Sequence, residues 1–402
     1  MRIAAIICEY NPFHNGHLYQ IEQIKQQLDT DFIIAVMSGN FVQRGTPAFC
    51  DKYTRTRFAL ENGIDLVFEL PIRYAASSAE YFASGAISIL NALNCVDYLV
   101  FGTETENLDF LKQYALLFLE EPEDYKQILQ EYLKQGLSFP SARQKAANKF
   151  LVINEQNCLD APNNILAIEY LKALLKYQSS IRPYAIKRTT SDYHEQTIQS
   201  EIASATAIRN HLESHGFDET VATSVPQSVC YYLKNHYQKG YPLTLDDFSE
   251  MIYYSLMIEQ QPNRYLDYSS DLIDRIQKLY ELHSSVETLI TATKTKNFTY
   301  ARISRYLLHL MLKITPEQAL APCGYGKILG LRKDASGLLK HLRNTASIPI
   351  IQKTSHYTKL LTDDAFISFK QDLLASDLYR HVLQKKYDQT LPSDVHHPLV
   401  IV

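Results

Sequence analysis

The 402-residue chain carries 40 Lys and Arg against 44 Asp and Glu, a net charge of −4, and 46% of its residues are hydrophobic. This is the composition of an ordinary globular protein large enough for two cores, so two domains are the default. No apolar stretch approaches the roughly 18 residues of a membrane span, and the chain enters a strand with no leader, which predicts a cytoplasmic location and excludes a membrane role.

The first apolar run, residues 3–8, reads as a buried strand, and Leu18, Ile21, Ile24 and Leu28 recur at helical spacing after it. Between them lies Cys8-Glu9-Tyr10-Asn11-Pro12-Phe13-His14-Asn15-Gly16-His17, which makes a strand end, a tight loop and a helix N-terminus. Unpaired N–H groups and the positive end of the helix dipole favour a phosphate in front of such a junction. His14 and His17, three residues apart on the first turn, share a face and can donate to one anion. Gly16 leaves room for a ligand at the backbone. His-x-x-His is also half of a metal site, or a pair of helix caps. No third and fourth ligand stand nearby at metal spacing, so no structural metal is expected.

Residues 32–37 form a second apolar strand, and the long loop after it, through Gly39, Arg44, Gly45 and Thr46, sits where ligand loops sit in an open parallel sheet. No Lys precedes Thr46 and no helix pattern begins there, so the loop is not a P-loop. A helix over 52–63, a strand over 66–70, a helix over 77–93 and a strand over 96–101, ending in Gly102, come next. This alternation implies right-handed crossovers and a parallel sheet, hence an α/β fold. G-x-G-x-x-G is absent, which leaves nucleotide binding to the histidine loop. Helices fill 108–177, with Pro122 and Pro140 opening two of them and Pro162-Asn163 the last. Residues 183–187 make a fifth strand, leading into Arg188-Thr189-Thr190-Ser191-Asp192-Tyr193-His194. Cys8, Cys50, Cys95, Cys158, Cys230 and Cys323 contain no C-x-x-C pair and are expected to be free thiols.

Another helix opens at Ile202-Ala203-Ser204-Ala205-Thr206-Ala207-Ile208-Arg209. Ser204 is either its N-cap or, with Thr206 and Arg209, a phosphate ligand. Beyond about residue 211 long amphipathic segments dominate, which predicts a mainly helical second domain. Its charge is uneven, because residues 294–359 hold 12 Lys and Arg against Glu317 and Asp334. A basic segment on an acidic chain suggests a polyanion partner. Arg302, Arg305 and His309 share one helical face, with Ile303, Leu307 and Leu310 left for packing, and residues 324–333 read as flexible at their glycines and basic at their end. Arg302, Arg305, Lys327, Arg332, Lys333, Lys340 and Arg343 are the candidates to contact RNA phosphates.

The loop at residues 8–17 resembles the H-x-G-H signature of HIGH-type nucleotidyltransferases, and its longer form, E-Y-N-P-F-H-N-G-H after a first strand, resembles the bacterial tRNA(Met) cytidine acetate ligases. Residues 202–209 are similar to the superfamily's second motif, I-S-T-T-x-x-R, with Ala203 and Ala205 where Ser or Thr is common. The resemblance implies a Rossmann-like nucleotidyltransferase domain with a parallel five-stranded sheet over 1–210, and a mainly helical, basic tRNA-binding domain over 211–402. It implies that ATP is held by Ile7, Cys8, Glu9, Tyr10, Asn11, Pro12, Phe13, His14, Asn15, Gly16, His17, Leu18, Tyr19 and Gln20, with His14 and His17 catalytic. Gly102, Asn163 and Arg188 complete that set, and Ser204, Thr206 and Arg209 join from the second motif. The implied partners are acetate and elongator tRNA(Met), without acetyl-CoA. Acetate would attack ATP to give acetyl-adenylate and pyrophosphate, and the wobble cytidine amine would then take the acetyl group, forming N4-acetylcytidine. Magnesium is expected on chemical grounds, carried by the ATP phosphates. The alternative is an adenylyltransferase acting on a small phosphorylated metabolite. Lys52 and Arg44 are further candidates to hold pyrophosphate or acetate.

Overall fold

A computed structural model describes residues 1–105, 107–151, 159, 161–188, 197–198 and 201–402. Cys158 and residues 189–194 lie outside the described residues. The first half runs β1 (Ile3–Cys8), α1 (Asn15–Gln27), β2 (Phe32–Ser38), β3 (Phe41–Val42), β4 (Thr46–Pro47), α2 (Lys52–Glu61), β5 (Leu66–Leu70), α3 (Ile72–Ala75), α4 (Ala79–Ala92) and β6 (Tyr98–Thr103). Four helices follow, α5 (Leu108–Glu120), α6 (Glu123–Lys134), α7 (Phe139–Leu151) and α8 (Pro162–Lys176), then β7 (Arg182–Lys187). The second half begins with α9 (Ala205–His215), α10 (Glu219–Ser224), α11 (Gln227–His236), α12 (Ser249–Ile258), α13 (Ser270–Leu279), α14 (Val286–Thr293), α15 (Tyr300–Leu312) and α16 (Pro316–Leu320). It ends with β8 (Gly326–Leu331), α17 (Ser336–Thr345), β9 (Ile350–Ile351), α18 (Tyr357–Leu360), α19 (Asp363–Tyr387) and β10 (Val400–Ile401). No helix among the described residues is long and apolar enough to cross a membrane.

The main sheet has the order β10-β8-β5-β2-β1-β6-β7, with β9 beside β8. The five strands anticipated from the sequence, β1, β2, β5, β6 and β7, are all mutually parallel. The sheet does not stop at five, however. β8 adds antiparallel to β5, and β9 and β10 pair parallel to β8. Within the stretch read as flexible at its glycines, residues 326–331 are therefore a fully buried strand, and its basic end at Arg332 and Lys333 lies outside it. Its glycines serve close packing: a Cβ at Gly330 would come within 2.7 Å of Thr56 Cγ2 and of the Val400 carbonyl, so only glycine lets α2 and β10 close on the strand.

Successive residues of the central strands bury on opposite faces. Ile3 and Ala5 join Ile34 and Val36 beneath α4, α5 and α8, whereas Ala4 and Ile6 join Ile33 and Ala35 beneath α1, α2 and α9. Burial on both sides is what makes these strands continuous apolar runs in sequence. A third core forms among α12 to α15. The second half is mainly helical, yet it is not closed off at residue 211. β8 to β10 extend the first half's sheet, and the 25-residue α19 sends Phe369 into the sheet core and Tyr379, Val382 and Leu383 into the helical core. Each such side chain contributes roughly 1.5–3 kcal/mol by burial, so α19 ties the halves together.

Charge crosses the same border. Lys52 Nζ lies 2.7 Å from Glu69 Oε1, 2.5 Å from Asp394 Oδ2 and 2.8 Å from Ser376 Oγ. Lys327 Nζ lies 2.7 Å from Glu69 Oε2 and 2.5 Å from the same Asp394 oxygen. All four charged side chains are buried. Two cations and two anions cancel there, joining α2, β5, β8 and the C-terminal segment.

Candidate active site

The site grows from the end of β1. Tyr10 adopts a left-handed backbone (φ 48°), a conformation that costs a bulky residue about 1–3 kcal/mol and is retained where the surroundings enforce it. Here they do: the buried Tyr10 ring stands 4.7 Å from Phe13 and packs edge-on at 4.8 Å against His17, and the rings of His14 and His17 lie 3.7 Å apart. His14 is the N-cap of α1. Its Nδ1 accepts from the Gly16 N–H at 3.1 Å, and the His17 Nδ1 accepts from the His14 N–H at 3.2 Å. Both imidazoles thus cap the helix, and that same act assigns their protons. With each Nδ1 lone pair engaged, a neutral ring carries its hydrogen on Nε2. Burial pushes both rings toward the neutral form, His14 down to about 3 with Arg188 and Arg209 adding to the effect, and His17 with His14 and Arg188 adding. The result is a pair of adjacent Nε2–H donors on one helical turn.

These donors line a cavity of about 270 Å³ at the carboxyl ends of β1, β6 and β7, the place where strand order departs in both directions from β1. Of the residues anticipated for ATP, Ile7, Cys8, Glu9, Tyr10, Asn11, His14, Gly16, His17, Tyr19, Gln20, Gly102, Asn163, Arg188, Ser204, Thr206 and Arg209 line it. Pro12, Phe13, Asn15 and Leu18 do not. Phe13 is fully buried under the histidines, and Leu18 packs on the core. The Asn15 side chain donates to the carbonyls of Glu201 at 3.0 Å and Thr223 at 2.8 Å, so it holds the two motif segments together.

The second motif enters from α9. Ser204 is the N-cap of that helix, its Oγ accepting from the Ala207 N–H at 3.1 Å. Arg209 donates to the Asn11 carbonyl at 2.6 Å and to Thr206 Oγ1 at 3.2 Å. These two hydrogen bonds lock the motif to the histidine loop. Gly102 is the penultimate residue of β6, where a Cβ would stand 3.3 Å from Arg188 Cγ. Asn163 is oriented by Glu104, whose Oε1 accepts its side-chain amide at 2.5 Å while Oε2 accepts the Asn164 N–H at 2.9 Å. Arg44, Lys187, Arg188 and Arg209 are cations on the described wall, against one carboxylate, Glu9. Such a cavity suits a polyphosphate.

Arg55 escaped sequence reading because an arginine on a helix normally reads as surface. It is wholly buried and donates to the carbonyls of Cys50 at 3.0 Å, Glu9 at 2.6 Å, Ser38 at 3.0 Å and Gly39, so it knits together the ends of β1 and β2 under the cavity. Gln43, Phe82, Phe101, Leu166 and Tyr170 also line the cavity without having been anticipated. Leu166 and Tyr170 follow Asn163 at helical spacing on α8, the one sequence signal that pointed to them. Arg44 lines the cavity, whereas Lys52 is absent from its described wall and spends its charge on Glu69 and Asp394.

The residues proposed to meet RNA divide. Lys327 is 1% exposed inside the ion cluster and cannot reach a phosphate. Arg305 is committed to Asp267 at 2.8 Å, and Arg332 to Asp334 at 2.8 Å. His309 is buried between the carbonyls of Leu266 and Ala76. Arg302 is half-buried near the Phe298 ring, while Lys333, Lys340 and Arg343 are exposed.

Comparison with known proteins agrees with this arrangement. The HIGH Nucleotidyl Transferase family model matches residues 1–394. The chain is 41% identical over 404 residues to a tRNA(Met) cytidine acetate ligase of Thermoanaerobacter sp. (strain X514), covering 100% of both. It is 38% identical to the enzyme of that name from Acetivibrio thermocellus, covering 94% of each. Its fold superposes on apo Thermotoga maritima TmcAL with a TM-score of 0.93 at 31% identity, and on TmcAL bound with alpha-thio ATP with a TM-score of 0.90 at 30% identity, each over 100% of both chains. Full-length likeness to these relatives, around a histidine loop and second motif that share one cationic cavity, means that the chain belongs to the tRNA(Met) cytidine acetate ligase family of HIGH nucleotidyltransferases.

Proposed function

We propose that this protein ligates acetate to the N4 amine of the wobble cytidine of elongator tRNA(Met), converting ATP to AMP and pyrophosphate through acetyl-adenylate. The observation that carries the reading is the pair of Nε2–H donors facing the same cavity as Thr206 and Arg209. The chemistry follows from these groups. A carboxylate is a poor electrophile until one oxygen becomes a good leaving group, and AMP supplies one. Donors on the α-phosphate and cations around the departing pyrophosphate stabilise charge as it develops. His14 and His17 serve the first task, and Arg209, Thr206, Ser204 and the N-terminus of α9 the second. Gly102, Asn163 and Arg188 bound the adenosine side. Magnesium enters on the ATP phosphates, which with water satisfy its octahedral demand and require no protein cage. The cytosine amine is a weak nucleophile, so holding it against the mixed anhydride supplies much of the second rate. An anticodon base, already single-stranded, enters such a site at little cost.

Purified protein with ATP, magnesium and acetate is expected to exchange labelled pyrophosphate into ATP, and omission of acetate to abolish the exchange. Adding tRNA should yield N4-acetylcytidine without acetyl-CoA. Absence of both exchange and the modified nucleoside sinks the reading, and exchange driven by a phosphorylated metabolite instead of acetate makes this an adenylyltransferase of small molecules.

A further inference from the structure

We propose that Glu9 is the base that takes the proton from the cytidine amine in the second half-reaction, an inference that rests on the ligase reading above. When N4 attacks the acetyl carbonyl, a C–N bond forms and the C–O bond to the phosphate breaks, its electron pair leaving on AMP. One N–H proton must then go to an acceptor. The first half-reaction makes no such demand, because acetate is already an anion and the product is pyrophosphate.

Elimination among the described residues of the cavity leads to Glu9. The Nδ1 atoms of His14 and His17 are engaged by backbone N–H groups, so their cavity-facing nitrogens are donors. Arg44, Lys187, Arg188 and Arg209 are cations. Burial pushes the Cys8 thiol and the Tyr10 and Tyr170 hydroxyls upward, so all three remain protonated. Glu9 is the one carboxylate on the described wall.

Its geometry suits the task. The Glu9 carbonyl is gripped by Arg55 at 2.6 Å, and its Oε1 accepts from the Gln43 N–H at 2.7 Å. Among the described residues Oε2 accepts no hydrogen bond, so a fixed carboxylate presents one open oxygen. Phe82, Phe101 and Tyr170 line the same cavity and give it an apolar, aromatic side. A carboxylate is also the natural acceptor for a cytosine N4 hydrogen. Burial raises the Glu9 carboxyl above the ordinary range against the opposing Gln43 N–H, Arg209, Arg55 and Arg44, which makes it a stronger base than a solvated glutamate.

The test separates the half-reactions in full-length protein. Acetate-dependent pyrophosphate exchange and single-turnover acetyl transfer to a tRNA(Met) transcript are measured across pH for wild type, Glu9→Gln and Glu9→Asp. Glu9→Gln should slow transfer by about a hundredfold or more, slow exchange far less, and remove the rise of transfer with pH that wild type shows; Glu9→Asp should restore part of both. Should the Gln variant not fold, the Asp variant carries the test through a displaced pH profile. Equal losses in exchange and transfer, or an unaltered pH profile, overturn the assignment while leaving the ligase reading intact. A wild-type protein without acetate-dependent exchange overturns both.

Discussion

Replacing Lys52 with Met removes one of two cations from the buried group of Lys52, Lys327, Glu69 and Asp394, leaving two carboxylates facing one lysine. Breaking one side of a buried, hydrogen-bonded ion group costs about 3–5 kcal/mol. For a 402-residue chain the unfolding entropy is about 0.8 kcal/mol per kelvin, so the melting temperature should drop by roughly 4–6 °C. Acid should narrow the difference. Burial by itself raises the Asp394 carboxyl, but Lys327 and Lys52 outweigh it and hold the group well below the ordinary range. A depressed carboxylate contributes stability that is present above its unfolded pKa of about 3.9 and is lost as pH falls through the folded value. Without Lys52 the folded value rises, and that stability shrinks. Calorimetry from pH 7 down to about pH 2 reads this directly, as wild type loses the contribution below about pH 4 and the gap to the variant closes. Acetate-dependent exchange, assayed well below the melting point, should fall less than about threefold, since Lys52 is absent from the described wall of the cavity. A variant with wild-type melting but exchange reduced a hundredfold would refute the reasoning and return Lys52 to the catalytic site.

Four further outcomes are expected. His14→Ala and His17→Ala should each lower exchange by roughly tenfold to a thousandfold, each removing a donor to developing charge. Because both folded histidines are held below the ordinary value of about 6.5, only the unfolded chain takes up their protons as pH falls from 6.5, so wild-type stability should decline over that range by up to about 1.4 kcal/mol per pH unit per histidine, and less steeply in either variant. Arg55→Lys keeps the charge but cannot span four carbonyls; losing two or three charged hydrogen bonds should cost roughly 3–9 kcal/mol and shift the pH profile of acetyl transfer by releasing Glu9, a change that reduced stability alone would not produce. Reversing charge at Lys333, Lys340 and Arg343 should weaken tRNA binding and flatten its salt slope by about 0.7–0.9 for each phosphate that is no longer neutralised, with ATP binding retained; an unchanged slope shows that this face does not meet RNA.

What the sequence made legible was local. The β1 to α1 junction could be read because every element of it lies within 25 residues and each residue type has one dominant conformational use there: an apolar strand, capping imidazoles, a glycine at the ligand. The five parallel strands could be read because burial on both faces leaves unbroken apolar runs. β8 could not, since Gly326, Lys327 and Gly330 interrupt its run, and the reason a lysine is tolerated there, the pair of carboxylates Glu69 and Asp394, comes from two distant segments. β9 and β10 are two residues each, too short to express any period. The same limit applies to the cavity. Both motif segments could be anticipated, but Gln43 on the cavity wall and Arg55 buried beneath it come from segments whose own patterns say nothing about the cavity.

Charge shows most clearly how a count along the chain differs from a charge in space. The 12 Lys and Arg of residues 294–359 are an excess only while the acids of other segments are ignored. In the folded protein Lys327 is neutralised by Glu69 and Asp394, Arg305 by Asp267, and Lys313 by Glu259, all acids from outside the segment. Arg332 is taken by Asp334 within it. Four of the twelve cations are thus neutralised by ion pairs, and two of these, Lys327 and Arg305, are internal wiring that fixes β8 and α15 in place. The charge that survives folding as exposed side chains with no ion pair among the described residues is spread over Lys294, Lys296, Lys333, Lys340, Arg343, Lys353 and Lys359; on α17 Leu338 and Leu342 turn inward and Lys340 and Arg343 outward. In the proposed reaction the tRNA would meet the protein there through a few phosphates, and specificity for one tRNA must then rest on the cavity that receives the base.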